Sequence, residues 1–245
     1  LWRMGDMFQL SVELYDTKDK KVVWADRWQE NWDNLPSIKS NLSDGLLKAL
    51  NAKPSYEENK EIVNPEAYEY YLRAEHKFQK RQTADDIELA MGLSQKAVEI
   101  DENFLEAKLQ LAKIIYAKGN DEDKALSLAN TAHEQAEKQD NQRAVGDILR
   151  FIGEWFIRRD LDQALGYFTR SLIVFEALGD KMGTGLALNS IGNVNWRNEQ
   201  PKKALEYYER FQSIAEEIGD KWSESTALNN IALVYNGIGD SDGAI

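Results

Sequence analysis

The chain repeats a ten-residue stretch at an interval of 40 residues, with five of the ten positions identical. The first copy is ALNSIGNVNW, residues 187–196, and the second is ALNNIALVYN, residues 227–236. Alanine, leucine, asparagine, isoleucine and valine keep their places while the other positions differ. A fixed period of this length indicates a repeat architecture, in which each repeat is one supersecondary element that buries its apolar face against its neighbours.

Small residues occupy the same place in every repeat. The positions equivalent to Gly192 are Ala74, Ala112, Gly153 and Ala232. A second small residue follows each of them, namely Ala90, Ala125, Ala164, Ala204 and Ala244. Two antiparallel helices approach closely only where the side chains between them are small, and large apolar residues one turn away fill the grooves. Each repeat is therefore predicted to be a helix–turn–helix hairpin.

The first 50 residues follow a different pattern. Phe8, Leu10, Val12 and Leu14 alternate with polar residues, as in a strand, and VVWADRW, residues 22–28, reads as the return strand of a hairpin. Leucine and isoleucine then take helical spacing between residues 35 and 50. We predict a β–β–α piece over 1–53, a linker over 54–63 and the repeats over 64–245. A lone hairpin is marginally stable, so this piece is expected to end a larger domain.

The two ends of the chain support the same expectation of a longer protein. The sequence begins with Leu1 rather than methionine, and it stops just after Ala244, inside the second helix of a repeat. We therefore expect the chain to be cut from a longer protein and its last repeat to be incomplete.

Composition argues against several classes of function. The chain has no cysteine, only two histidines and a formal net charge of −12. Such a charge opposes binding to nucleic acid, and no apolar run is long enough to span a membrane. The acidic pairs Asp85–Asp86 and Asp121–Asp123 are expected at the starts of second helices, and GTG, residues 183–185, is expected between two helices without the lysine of a phosphate loop. We therefore predict no catalytic residues, metal site or cofactor, and no enzyme activity in this region.

The hairpin pattern resembles the tetratricopeptide repeat over residues 64–245. The small and large positions of that family are met most fully by Leu188, Ile191, Gly192, Ala204 and Tyr208. The chain departs from it in the longer repeat of 38–41 residues, in Phe211 at a usually small position, and in Glu102 where a helix-ending proline is usual. The resemblance implies a mainly all-α fold, a right-handed superhelix of about four and a half repeats preceded by the truncated β–β–α segment.

In such a solenoid the first helix of each repeat lines a concave wall. Positions three before and one after the small residue, and those one turn further along, are expected to point inward. We call these the inner-wall residues: Arg150, Glu154, Arg158, Asn189, Asn193, Trp196, Arg197, Asn229, Leu233 and Asn236. Asparagine amides could bracket the backbone of an extended peptide, with Trp196 and Arg197 as side-chain contacts. The alternative is that the asparagines bond neighbouring helices or water and that Trp196 packs between repeats.

The front segment resembles the end of a TolB-like amino-terminal domain. The residues that carry this likeness are Gly5, Asp6, Leu14, Asp16, Trp24 and Ala25, followed by VNPEAYEYYLRA, residues 63–74. The combination implies the carboxy-terminal half of a class III adenylate or guanylate cyclase. It also occurs downstream of Ser/Thr kinase and winged-helix regulator domains.

The expected function follows from both resemblances. We expect a cytoplasmic regulatory or sensing region that binds a protein or an extended peptide. One alternative is the periplasmic part of a membrane-anchored signalling protein. Another is rigid coupling of a cyclase homodimer with an empty groove, and a third is a stand-alone assembly scaffold.

Overall fold

A computed structural model gives the structure of the chain and describes residues 2–4, 7–16, 18–31, 42, 45–46, 48–50 and 63–239. Most of the predicted linker, the first part of the predicted front helix, and Ala244 with the end of the last repeat lie outside the described residues. The chain divides into two compact units, Leu1–Ile114 and Ile115–Ile245.

The first unit begins with an antiparallel sheet. Its strands are β1 (Trp2–Met4), β2 (Met7–Asp16) and β3 (Lys21–Asn31), in the order β1-β2-β3. The predicted hairpin corresponds to β2 and β3, whereas β1 was missed because three residues are too short to show an alternating pattern. Helical residues follow between 42 and 49, and a Cβ placed on Gly45 would lie 2.7 Å from Trp24 Cζ2. The β–β–α order is thus the one that the sequence predicts.

Helical hairpins make up the rest of the described chain. Consecutive helices pack closely in the pairs α1–α2, α5–α6 and α7–α8. The fold class predicted from the sequence is confirmed, with nine helices over the described residues 65–238. The helices are α1 (Pro65–Gln79), α2 (Ala84–Ile100), α3 (Leu105–Lys118), α4 (Glu122–Lys138), α5 (Gln142–Phe156), α6 (Leu161–Leu178), α7 (Lys181–Arg197), α8 (Pro201–Ile218) and α9 (Lys221–Ile238).

Small residues lie where the two helices of a hairpin meet, as predicted. A Cβ placed on Gly153 would lie 2.7 Å from Phe168 Cε1, and one on Gly192 would lie 2.5 Å from Tyr208 Cε1. Both aromatic rings are buried, so each fills the space that the glycine leaves. The second-helix positions are fully buried alanines: Ala90, Ala125, Ala164 and Ala204.

Glycine and aspartate set the junctions between repeats. Gly179 and Gly219 end α6 and α8 with φ of 68° and 71°, a left-handed conformation that suits glycine. Asp180 and Asp220 then cap α7 and α9 by accepting backbone hydrogen bonds from the first turn. Because α7 begins at Lys181, the GTG segment lies within its first two turns, and the prediction that it lies between helices is wrong.

The reason that this glycine-rich segment is helical is close packing. A Cβ placed on Gly183 would lie 2.3 Å from Phe175 Cδ1, so only glycine lets α7 approach that ring. Packing here outweighs the low helix propensity of glycine, which amounts to about 1 kcal/mol relative to alanine.

The capping aspartates predict how stability depends on pH. Hydrogen bonds from Gln163 lower the pKa of Asp160, the cap of α6, and hydrogen bonds from Ser223 lower the pKa of Asp220. A carboxylate with a lowered pKa favours folding only while ionised. Its contribution is complete above the ordinary pKa of about 3.9 and is lost as the pH falls through the folded-state pKa.

We therefore expect the melting temperature to fall between pH 5 and pH 2.5, and to fall less steeply in an Asp160→Asn/Asp220→Asn double variant. Asparagine keeps the capping geometry but carries no titrating charge. Melting followed by circular dichroism across this range is the measurement, with Asp162→Asn as the control that removes a nearby charge without touching a cap. Equal slopes for the double variant and the unmodified chain would contradict the assignment.

Candidate functional site

The inner-wall residues lie on, or directly after, three first helices of the second unit: α5, α7 and α9. Hydrogen bonds join these helices side by side. Arg197 Nη1 donates to the backbone oxygen of Ile157 at 3.4 Å, and Asn230 Nδ2 donates to Asn189 Oδ1 at 2.8 Å. The partners are 40 and 41 residues apart, so the sequence period recurs as a contact between neighbouring repeats.

On α5, the inner-wall residues Arg150 and Glu154 pair with each other. Arg150 Nη1 forms an ion pair and hydrogen bond with Glu154 Oε1, one helical turn away. The backbone oxygen of Glu154 also accepts a hydrogen bond from the Tyr116 hydroxyl at 3.4 Å. Because the two side-chain charges cancel, this pair adds little net charge to the wall.

The asparagines of α7 use their amide oxygens within the protein. Asn189 Oδ1 accepts from Asn230, and Asn193 Oδ1 accepts from the Tyr208 hydroxyl at 2.7 Å. Burial raises the pKa of Tyr208 to about 12, so its phenol stays protonated and donates at neutral pH. The amide NH₂ groups of Asn189 and Asn193 have no hydrogen-bond partner within the described part of the chain.

Trp196 is half-buried between α7 and α9. It packs against the buried cluster of Ala204, Tyr208 and Val234, and a Cβ placed on Gly237 would lie 2.3 Å from Trp196 Cη2. The ring therefore contributes to packing between repeats, the second of the two roles that the sequence left open. Its role as a contact for a peptide stays a prediction.

All three inner-wall residues of α9 are exposed. They are Asn229, Leu233 and Asn236, and Leu233 shows 52% of its surface. Leu228, on a different face of the helix, is 48% exposed, whereas its equivalent Leu188 is fully buried beside α8. Leu233 thus adds an exposed apolar side chain on the neighbouring first helix, α9.

Two arginines remain exposed at the turn end of the wall. Arg158 follows the end of α5, and Arg197 is the last residue of α7. Neither forms an ion pair with any of the described carboxylates. Their position in the repeat identified them from the sequence, but their unpaired state could be seen only in the structure.

Sequence reasoning missed the residues that hold the asparagines in place. The 40-residue period points from Asn189 to Asn229, yet the hydrogen bond is made by Asn230, one residue further on. The only available signal was the second asparagine in the pair at 229–230. Tyr208 was recognised as a core residue, but its hydroxyl contact with Asn193 was not predicted.

Taken together, the wall offers amide donors, two arginines and an exposed leucine. These groups can bind a polypeptide through its carbonyl oxygens, carboxylates and apolar side chains. Within the described residues, no three histidine, aspartate or glutamate side chains are grouped so as to hold a metal ion. None of the described helices is long and apolar enough to cross a membrane.

Comparison with known proteins agrees with this architecture. Residues 157–217 match the tetratricopeptide repeat family model. Among curated protein sequences, none matches the chain.

Several solved structures have the same fold at low sequence identity. A Rap protein complexed with competence and sporulation factor matches with a TM-score of 0.64 and 19% identity, over 82% of this chain and 55% of that one. A putative kinesin light chain repeat protein from Podosopora anserina matches with a TM-score of 0.57 and 14% identity, over 72% of this chain and 88% of that one.

A signal transduction ATPase with a tetratricopeptide repeat sensor, from Pyrococcus horikoshii, matches with a TM-score of 0.57 and 19% identity. The match covers 83% of this chain and 32% of that protein, so the chain spans only part of the ATPase. The family model thus matches one stretch of the second unit, and the solved structures show that the chain shares the fold of tetratricopeptide repeat proteins.

Proposed function

We propose that the second unit binds an extended protein segment along the inner wall. The observation that carries this proposal is the pair of unpartnered amide NH₂ groups on Asn189 and Asn193, whose oxygens are fixed by Asn230 and Tyr208. Fixed donors of this kind suit the carbonyl oxygens of a peptide backbone, because little side-chain entropy is lost when they bind. Leu233 and the arginines at the turn end then add contacts with the side chains of the peptide.

The structural neighbours support this use of the fold. The Rap structure was determined as a complex with competence and sporulation factor, so a related scaffold holds a factor. Its identity to this chain is 19%, and the likeness therefore transfers the fold and not the ligand.

We further propose that this binding regulates a signalling domain of a larger cytoplasmic protein. The first candidate is a class III adenylate or guanylate cyclase with a TolB-like domain before the repeats. Support comes from the resemblance of residues 1–74 and from the β–β–α order at the front of the chain. In the P. horikoshii signal transduction ATPase, a repeat region of the same fold is named as the sensor. A Ser/Thr kinase or a winged-helix regulator would keep the sensing role with another output.

Two alternatives assign the chain a different class of function. In one, the repeats couple the halves of a cyclase homodimer and the inner wall stays empty. In the other, the chain is a stand-alone assembly scaffold. Determining the coding sequence that precedes Leu1 distinguishes between these possible full-length proteins. A TolB-like front preceded by a cyclase domain supports the first candidate, and an initiating methionine directly before Leu1 would contradict a signalling parent.

Binding at the inner wall is tested with an Asn189→Ala/Asn229→Ala double variant. Peptides selected from a random display library on the purified chain serve as ligands, and fluorescence anisotropy gives their Kd. Each hydrogen bond contributes about 1 kcal/mol, so we expect Kd to rise tenfold or more when both amides are removed.

Asn230→Ala is the matched control. It breaks the same hydrogen bond between α7 and α9 but leaves the inner-wall amides in place. Because Asn189 is then no longer held in place, we expect Kd to rise by only about two- to fivefold, less than in the double variant, with circular dichroism confirming that all variants are folded. If the double variant binds the selected peptides as tightly as the unmodified chain does, the asparagine contacts are not the binding site.

A further inference from the structure

Three large apolar side chains lie exposed around one junction between repeats of the second unit. Met182 and Trp222 are the second residues of α7 and α9, and Ile218 is the last residue of α8. Their exposed fractions are 54%, 73% and 39%, and Trp222 is the most exposed large apolar side chain in the described part of the chain. We call these three residues the junction edge, together with the charged residues beside them: Lys181, Glu217, Lys221 and Glu224.

Contacts within the unit bring these residues together. Lys181 Nζ forms an ion pair with Glu217 Oε2 at 3.0 Å, so the start of α7 lies against the end of α8. Trp222 follows Ile218 directly after the turn between α8 and α9. The hydrogen bond between their asparagines makes α7 and α9 neighbours, and the axes of packed helices lie about 8–10 Å apart. Met182 and Trp222 therefore lie on adjacent helices, with Ile218 close to both.

The repeat itself does not require apolar residues at this place. Met182 has the hairpin α5–α6 before it and α8 and α9 after it, yet it stays exposed, so its exposure does not depend on being near the last described helix. In α5 the equivalent position, ten residues before the small glycine, is Arg143, whose Nε lies 3.2 Å from Asp180 Oδ2. A charged side chain is thus accepted there. Clustered apolar side chains that folding does not need indicate an interaction surface.

The charges of the junction edge alternate in sign. Lys181 pairs with Glu217, and Lys221 Nζ lies 2.6 Å from Glu224 Oε2. These two pairs carry no net charge, and nearby Glu216 accepts a hydrogen bond from a glutamine of its own helix. A partner of one charge sign would meet like charges at half of this rim. A second copy, turned about a two-fold axis, can instead place a glutamate opposite each lysine.

We propose that a second copy of this chain docks on the junction edge, with the apolar residues of both copies packed around a two-fold axis and the lysines of each copy facing glutamates of the other. Trp222 is expected at the centre, because tryptophan is enriched among the residues that carry most of the binding energy of an interface. The net charge of −12 opposes this contact only weakly at physiological salt, since charges more than about 8 Å apart are then largely screened. The proposal does not depend on peptide binding at the inner wall.

The first test is sedimentation equilibrium over a range of protein concentrations at physiological salt, which gives the Kd of the dimer. We expect a monomer–dimer equilibrium for the unmodified chain, and Trp222→Ser should raise its Kd at least about thirtyfold, as loss of a central interface tryptophan does. Ile173→Ser is the matched control, because Ile173 is 59% exposed but lies on α6, away from the junction edge. Its Kd should stay within about threefold. Circular dichroism checks that both variants are folded.

The second test reverses the charges of the rim. Lys181→Glu/Lys221→Glu makes the rim acidic, and Glu217→Lys/Glu224→Lys makes it basic. Each variant alone should stay monomeric where the unmodified chain is dimeric, because like charges then meet across the two-fold axis. An equimolar mixture of the two should form a dimer with one copy of each.

A matched control for the acidic variant is Lys202→Glu/Lys203→Glu. These exposed lysines lie at the opposite end of α8, and their reversal changes the net charge by the same amount. We expect this control to dimerise like the unmodified chain.

A chain that stays monomeric at every concentration would overturn the proposal. Equal weakening by Trp222→Ser and Ile173→Ser would do so too, because the contact would then lie elsewhere, and so would a mixture of the two rim variants that fails to dimerise. Vesicles of phosphatidylcholine and phosphatidylserine test a different occupant. If the unmodified chain is monomeric and sediments with these vesicles while Trp222→Ser does not, the junction edge binds a lipid surface and the proposal is wrong.

Discussion

Phe175→Ala is expected to lower the free energy of unfolding by about 3–5 kcal/mol, the usual cost of removing a fully buried phenylalanine. The ring belongs to the core of the second unit and has no exposed surface. It fills the space between two repeats. A Cβ placed on Gly146 of α5 would lie 2.8 Å from the ring, and one on Gly183 of α7 would lie 2.3 Å from it. Without the ring, both glycine-lined surfaces would face a cavity.

Ile173→Ala on the same helix is the matched control. Its side chain is 59% exposed, so we expect a loss of less than about 1 kcal/mol. Urea denaturation followed by circular dichroism gives both values. If Phe175→Ala lowers the free energy of unfolding by less than about 1 kcal/mol, the ring does not hold the two repeats together as described.

The second large effect is a difference in unfolding free energy between two glycine-to-alanine variants, Gly166→Ala on α6 and Gly192→Ala on α7. Glycine to alanine within a helix gains up to about 1 kcal/mol of helix propensity. At Gly166 a Cβ meets no atom within 4 Å, so Gly166→Ala should stabilise the chain by that amount. At Gly192 the new methyl group would lie 2.5 Å from Tyr208 Cε1.

Tyr208 cannot easily move away, because it is buried and its hydroxyl donates to Asn193. Overpacking of this kind costs about 1–3 kcal/mol, so the two alanine variants should differ in stability by about that amount. Thermal and urea denaturation of both variants measure the difference. Equal stabilities would contradict the close contact between the two helices of this hairpin.

The repeat itself could be predicted from the sequence because it depends on residue size. Helices that approach closely need small residues at fixed spacing, and Gly192 and Ala204 mark those places directly. The junctions were predictable for a similar reason, since Gly179 adopts a left-handed conformation and Asp180 caps the next helix. These are local requirements that few residue types meet.

Contacts between neighbouring repeats were less predictable. Whether Asn189 bonds Asn229 or Asn230 depends on how two adjacent helices are offset, and the period alone does not fix that offset. The same holds for Trp196, which packs beside Gly237 on the next helix. The GTG segment was misplaced because glycine propensity was given more weight than the space needed by Phe175.

The central claim is that a peptide binds through the amides of the inner wall. The most direct test is a two-dimensional ¹H–¹⁵N and ¹H–¹³C NMR titration of the chain with a library-selected peptide. We predict that the side-chain NH₂ signals of Asn189 and Asn193 and the methyl signals of Leu233 shift together, while the methyl signals of Ile173 on α6 and Ile218 on α8 stay unchanged. Shifts confined to Ile173 and Ile218, with those asparagines and Leu233 unaffected, would contradict it.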